Sequence, residues 1–329
     1  MTDAFRWRKF PYNSDQLNYL PTRSATNMSS ELIYGAIATG VALINIPVIA
    51  IIITSPALKN CKELLLVGGI CAVDTFLALA NAVCIVDRLL SFPADSGDKI
   101  IQMDCFFRYY VVAFFYANLL VGIMTLLVSI ERFIAVFFPL QYLVSYTRNK
   151  GVLMMLGAVI FCTVVLLAAY VYQTYAQNTL ISILCYTAFV YPPLFANMLV
   201  GIRVGSLGIG ILLYIPITIR ICQLKITSPK HVVFVSTSTT SIHRQTVHLN
   251  AQQRRTINFS VTIGLTCLSD LCLLFIPDLI INFNFFELQA YHMLFYHASL
   301  FKTVVNLFIY TFRHNELRKQ VLAKLLKCC

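Results

Sequence analysis

Long apolar runs separated by short polar stretches dominate this chain, and their rhythm is that of repeated membrane crossings. A helix needs about 20 mostly apolar residues to cross the hydrocarbon core of a bilayer. Seven segments reach that length: Leu32–Ile53, Leu64–Val86, Phe106–Phe138, Gly151–Tyr172, Leu194–Leu224, Ile257–Ile281 and Tyr291–Phe312. The pattern predicts an all-α fold, a seven-transmembrane helix bundle over residues 32–312, with an N-terminal segment at 1–31 and a tail at 313–329. No apolar core precedes Leu32, so no secretory signal peptide is expected, and the first span would serve as the insertion signal.

The tail has its own periodicity. Leu317, Val321 and Leu325 recur at i, i+4 and i+8, with Leu322 and Leu326 alongside, while Arg318, Lys319, Lys324 and Lys327 can meet anionic lipid. This predicts a short amphipathic helix on the membrane surface. Cys328 and Cys329 beyond it are candidates for palmitoylation, a second anchoring signal, with free thiols as the plainer alternative.

Composition agrees with the pattern. Of 329 residues, 58% are hydrophobic and 12% are Asp, Glu, Lys or Arg, against roughly a quarter charged in a soluble domain. The net charge of +11 could suggest nucleic acid, but its distribution argues against that. With the N-terminus outside, Lys59, Lys62, Arg148, Lys150, Arg220, Arg254, Arg255 and the tail cations all fall on the cytoplasmic side. The outer loops carry Arg88 and Lys99, diluted by Asp87, Asp95, Asp98 and Asp104. This positive-inside bias fixes the expected orientation. Arg6, Arg8 and Lys9 dissent, but they lie beyond the ~15–20 residues over which the rule counts. The sequon at Asn27 would then face the outside, where glycosylation occurs.

Most of the eleven cysteines lie within spans, as small buried apolar residues do. Cys105, at the outer start of the third span, and Cys185, in the following outer loop, sit where an oxidising exterior favours a disulfide. The two halves show no repeat, which counts against transporters built from duplicated bundles. The longest cytoplasmic loop holds Ser236–Ser241, read either as a kinase target or as a plain linker.

Polar groups at membrane depth cost several kcal/mol unless paired, so those that occur point to function. Asp74 lies in the second apolar run, Asn45-Ile46-Pro47-Val48 in the first, and Asn306-Leu307-Phe308-Ile309-Tyr310 in the seventh. The third closes on Ser129-Ile130-Glu131-Arg132-Phe133-Ile134-Ala135-Val136-Phe137-Phe138-Pro139-Leu140-Gln141-Tyr142, and the sixth contains Phe275-Ile276-Pro277. Together these resemble the rhodopsin-like (class A) G-protein-coupled receptors, with a divergence similar to the nematode serpentine chemoreceptors. The resemblance covers all the spans and the tail. Departures accompany it: the only tryptophan is Trp7, Ser206 stands for the family's fifth-span proline, and Gly122 and Leu271 replace the bulky residues packed against it. Cys105 also lies two residues farther from Arg132 than is usual in the family.

The resemblance implies a plasma-membrane receptor that binds an extracellular small molecule or peptide and activates a heterotrimeric G protein by outward movement of the sixth span. Glu131, Arg132, Phe133, Tyr214, Asn306 and Tyr310 would form the switch. Arg132 would pair with Glu131 at rest and face the G protein when released; snorkelling to lipid headgroups is the bland alternative. The foot of the sixth span reads Arg254-Arg255-Thr256-Ile257-Asn258, without the acid that often restrains this arginine, so a weakened resting state with notable basal signalling is expected. Tyr214 and Tyr310 would meet through water on activation, or serve only as core aromatics.

Lys302 is the most unusual residue. It precedes Asn306 by one helical turn and would share the face turned toward Asp74, where many family members hold sodium. Val121 stands where a sodium-coordinating serine is usual. The expectation is that the Lys302 ammonium replaces the ion and pairs with Asp74, with Asp270 as the competing partner and Asn45 in the same polar network. An opsin's retinal lysine would fall at Leu300, and two residues further turns roughly 200° away, so a Schiff base is not expected.

The outer halves of the spans should hold the ligand, with candidates Phe114, Phe115 and Asn118 in the third, Arg203 in the fifth, Phe275 and Asp278 in the sixth, and His292 and Tyr296 in the seventh. Phe114 stands where amine receptors carry an aspartate. Arg203 either neutralises an acidic ligand or pairs with Asp278. No cofactor, metal or catalytic residue is expected; an ion or solute transporter working through the intramembrane charges is the alternative class.

Overall fold

The structure, a computed structural model, describes residues 25–55, 62–91, 99–175, 180–183, 185, 190–227, 257, 259–283, 292–313 and 317–321. In chain order the helices are α1 (Ala25–Thr54), α2 (Lys62–Ser91), α3 (Gln102–Phe106), α4 (Tyr109–Phe137), α5 (Pro139–Ser145), α6 (Arg148–Tyr175), α7 (Pro193–Thr227), α8 (Phe259–Ile281) and α9 (His292–Arg313). Residues 317–321 form one more helical turn.

Six of these, α1, α2, α4, α6, α7 and α8, are long and apolar enough to cross a membrane. The chain is therefore a helical bundle of multi-pass membrane character. The seventh expected segment is also a helix: α9 has 22 residues, about 33 Å of length. Its inward face carries Lys302, Thr303 and Asn306.

Helix α4 is the hub, packing against α2, α6 and α7. Each spanning helix turns one stripe inward. On α1 the buried positions Tyr34, Ala38, Val41, Asn45, Val48 and Ile52 recur at three- and four-residue intervals, the signature of a single helical face. On α6 the stripe is narrow and small, Ala158, Cys162, Val165 and Ala169, while Leu153, Val164 and Leu167 lie exposed. An outward surface this apolar suits lipid rather than water.

Two features modify the expected plan. A small antiparallel ribbon joins β1 (Lys99–Ile101) to β2 (Leu180–Ser182), with Ile100 opposite Ile181. In addition, the third span does not begin at Phe106. Arg108 is extended (φ −61°, ψ 128°) and caps α4, so Cys105 sits in the separate turn α3 and not in the spanning helix. That break accommodates the two extra residues between Cys105 and Arg132. The expected disulfide is present: Cys105 and Cys185 are bonded across a Cα separation of 5.4 Å. It is buried with Phe106 and Tyr191, whose rings meet edge-on at 5.7 Å. Tyr191 also donates to the Val111 carbonyl at 3.1 Å.

In the tail, Leu317 is fully buried against the main core and Val321 packs beside it, while Arg318 and Lys319 are exposed. Cys328, Cys329 and the rest of the expected surface helix lie outside the described residues, as do Ser236–Ser241 and Arg254-Arg255.

Candidate functional site

Three polar clusters lie along the α4–α8 seam. The deepest joins three helices. Lys302 of α9 places its Nζ 2.9 Å from Asp74 Oδ1 of α2 and 3.3 Å from Asp270 Oδ1 of α8. Both sequence-level partners of Lys302 are thus engaged at once. All three side chains are buried, as are Asn306 and Thr125 around them. Asn306 donates through Nδ2 to Asp270 Oδ1 at 3.3 Å. The Thr125 hydroxyl lies 3.3 Å from Asp270 Oδ2 and 3.0 Å from the Val121 carbonyl, so its single proton is shared between them. Two carboxylates face one ammonium. Asn45 is buried on α1, but its Nδ2 has no hydrogen-bond partner among the described residues.

A second cluster lies nearer the disulfide end, where Arg203 of α7 meets Asp278 of α8 and Asn118 of α4. Arg203 donates from one terminal nitrogen to Asp278 Oδ1 at 2.8 Å and from the other to Asn118 Oδ1. Its Nε stands 2.8 Å from Asp278 Oδ2. Arg203 and Asp278 are thus paired side chain to side chain. The clasp depends on a close helix approach: a Cβ on Gly122 would stand 3.0 Å from the Arg203 carbonyl oxygen and 3.1 Å from its Cα. Glycine at 122 lets the α7 backbone settle against α4 where a larger side chain would hold it off.

One element puts both clusters on the same seam. Between Asp270 and Asp278, α8 contains a π turn over Leu271–Phe275, with the Ile276 amide bonded to the Leu271 carbonyl. Eight positions along a regular α-helix leave two side chains about 80° apart. The π turn absorbs one residue, so the pair behaves like i and i+7 and shares a face. Pro277 supplies a cause, since it has no N–H to offer the Leu273 carbonyl one turn back.

The third cluster closes the opposite end of α4. Arg132 and Glu131 are buried, and the guanidinium forks onto the Glu131 carboxylate through Nε and a terminal nitrogen. Tyr142 of α5 donates to Glu131 and accepts from Arg132 at 3.1 Å. Pro139 opens α5 at its first turn, where a missing N–H costs nothing, and brings Tyr142 back under α4. Phe259, at the foot of α8, lies with its ring centroid 4.5 Å from Arg132 Cζ. Snorkelling to lipid is not what Arg132 does here, since it is fully enclosed.

Phe133 stands apart from this cluster and stacks on Phe137 at 4.5 Å. Tyr214 directs its hydroxyl to the Ser260 carbonyl at 3.4 Å, and Tyr310 is buried in the main core. Among the expected ligand contacts, Phe114 and Phe275 are partly buried against the cluster of Leu77, Val121, Leu207 and Leu274, whereas Phe115 is enclosed in the aromatic core against Tyr191 at 5.5 Å. Leu300, the position an opsin lysine would need, is a buried apolar residue. His292 and Tyr296 lie on α9, and Asn27 on α1, but their side chains are outside the described residues.

Thr125, Tyr142, Phe259 and the π turn have central places that sequence reading did not assign. Thr125 had a usable signal, since it lies one helical turn after Val121 on the same face. Tyr142 closes the long motif at the end of the third span. No family model matches the chain, and no curated protein matches it.

Proposed function

We propose that this protein is a receptor of the rhodopsin-like, G-protein-coupled type, with α9 as its seventh membrane span, its N-terminus outside the cell and the Arg132 end facing the cytoplasm. An extracellular ligand acts near the Arg203 clasp, α8 swings outward, and Arg132 is released to a heterotrimeric G protein.

The observation that carries this reading is the enclosure of Arg132 between Glu131, Tyr142 and Phe259, where α4, α5 and α8 meet. A cation with no path to water at the end of an apolar helix is expensive to maintain. It makes sense as a contact that is exchanged for another when α8 moves. The basic character of the loops at that end supports the orientation.

A screen of ligand candidates in cells co-expressing several G-protein types tests the proposal, with Arg132→Ala as the control. Ligand-dependent nucleotide exchange that Arg132→Ala abolishes, at matched surface expression, is the expected result. Ligand-driven ion flux with no G-protein activation would replace this reading with a transporter, a second class favoured by the two-to-one ratio of acids to lysine around Lys302.

A further inference from the structure

We infer that Phe259 is the positioning residue that holds Arg132 in its resting place, so that an aromatic face, not an acid, restrains the cation across the α4–α8 interface. This rests on the receptor reading of the Arg132 cluster and names how that cluster is regulated.

The geometry separates the two demands of a guanidinium. Its nitrogens donate to Glu131 and Tyr142, and both partners come from α4 and the adjoining α5. Those contacts travel with α4 and cannot register a movement of α8. Among the described residues, α8 meets the cation with the Phe259 ring, at 4.5 Å from Cζ, within the ~6 Å over which a cation is drawn to an aromatic quadrupole. Arginine is suited to this because its flat face stacks while its edge hydrogen-bonds. Arg132 is 0% exposed and Phe259 6%, and such desolvation places the contact at the strong end of its range. The foot Arg254-Arg255-Thr256-Ile257-Asn258 supplies no acid to do the same work. Outward movement of α8 lifts the ring away and uncovers the cation, so the ring sets how often the resting state opens unaided. The restraint is worth roughly thirtyfold in that equilibrium.

The test replaces Phe259 with phenylalanine bearing one, two or three ring fluorines, which drain the negative face while barely changing its volume. Two measurements are made on the full chain: ligand-free G-protein activation at matched surface expression, and the thermal midpoint of the purified protein. Basal activation should climb stepwise with fluorine number, Phe259→Leu should exceed the whole series, and Phe259→Trp should fall below the native protein. The midpoint should drop in the same order. Fluorinated proteins that match the native one in both measurements, with Phe259→Leu alone raised, would reduce Phe259 to packing and overturn the inference. If no form activates any G protein, the receptor reading fails, and the midpoint series still decides the restraint: graded loss upholds it, and a flat series overturns it.

Discussion

The Lys302 cluster and the Arg203 clasp are built from the same chemistry, a cation paired with carboxylate beside a side-chain amide, yet they differ in what surrounds them. Lys302, Asp74 and Asp270 are 2–3% exposed. Arg203 and Asp278 are 19% and 15% exposed at the side chain. The dry site cannot lose a member without stranding charge, whereas the wetter one can pass its ions to water or to an incoming molecule. Both are anchored on α8, so the same helix is pinned firmly at one level and loosely at another. On the proposed receptor reading, α8 would pivot about the firm point when the loose one is disturbed, with the Lys302 cluster holding the bundle and the Arg203 clasp sensing.

The sharpest way to break the comparison is to remove the deep cation. Lys302→Met leaves two carboxyl groups facing each other in an apolar core, and loss of one partner from a buried ionic site costs about 3–5 kcal/mol. A large fall in thermal midpoint and in surface expression is expected. Adding Asp74→Asn and Asp270→Asn to the same chain should recover much of it, because the acids no longer need a cation. Equal damage from Lys302→Met and from Arg203→Gln would erase the distinction between the two sites.

Gly122→Ala should come next. The new methyl meets the α7 backbone at 3.0–3.1 Å, and backbone cannot rotate away as a side chain can. Overpacking of this kind costs about 1–3 kcal/mol, read as a drop in midpoint. Here the loss should fall on the clasp, and Arg203→Gln in the Gly122→Ala background should add little, since α7 has already moved. Full additivity of the two changes would separate Gly122 from the clasp.

Arg203→Gln alone, or Asp278→Asn, should be milder still. A partly buried pair costs less to break than the fully enclosed Lys302 site, while the expected effect on ligand response is large. A variant whose stability barely moves and whose response is lost would mark the clasp as a sensing element. Unchanged response at native stability would make it a strut.

The contrast also explains what could be read from the chain alone. Six membrane helices were legible because hydropathy integrates over about 20 residues and tolerates an error at either end. The Lys302 pairing was legible because charge at membrane depth demands a partner and only Asp74 and Asp270 stand at the right level. The β1–β2 ribbon was not legible, since three-residue strands carry too little pattern to register. The shared face of Asp270 and Asp278 was hidden for a different reason: sequence spacing assumes a regular helix, and the π turn changes the count by one. The role of Phe259 was hidden because an aromatic in an apolar helix looks the same whether it packs on carbon or on a guanidinium.

The smallest expected effect is none at all, and it isolates the deep site. Where an aspartate in a helical bundle binds sodium, the ion stabilises the folded state in proportion to its occupancy. Here the Lys302 ammonium already stands 2.9 Å from Asp74 and 3.3 Å from Asp270, occupying the ground such an ion would need. Replacing sodium chloride by choline chloride at constant ionic strength should therefore leave the thermal midpoint of the purified protein unchanged. Lys302→Ala frees the space and leaves two carboxylates to be neutralised, so that variant should acquire a midpoint that rises with sodium. A sodium-dependent midpoint in the native protein would mean that the ammonium yields its place, and the firm pin would then be as exchangeable as the clasp.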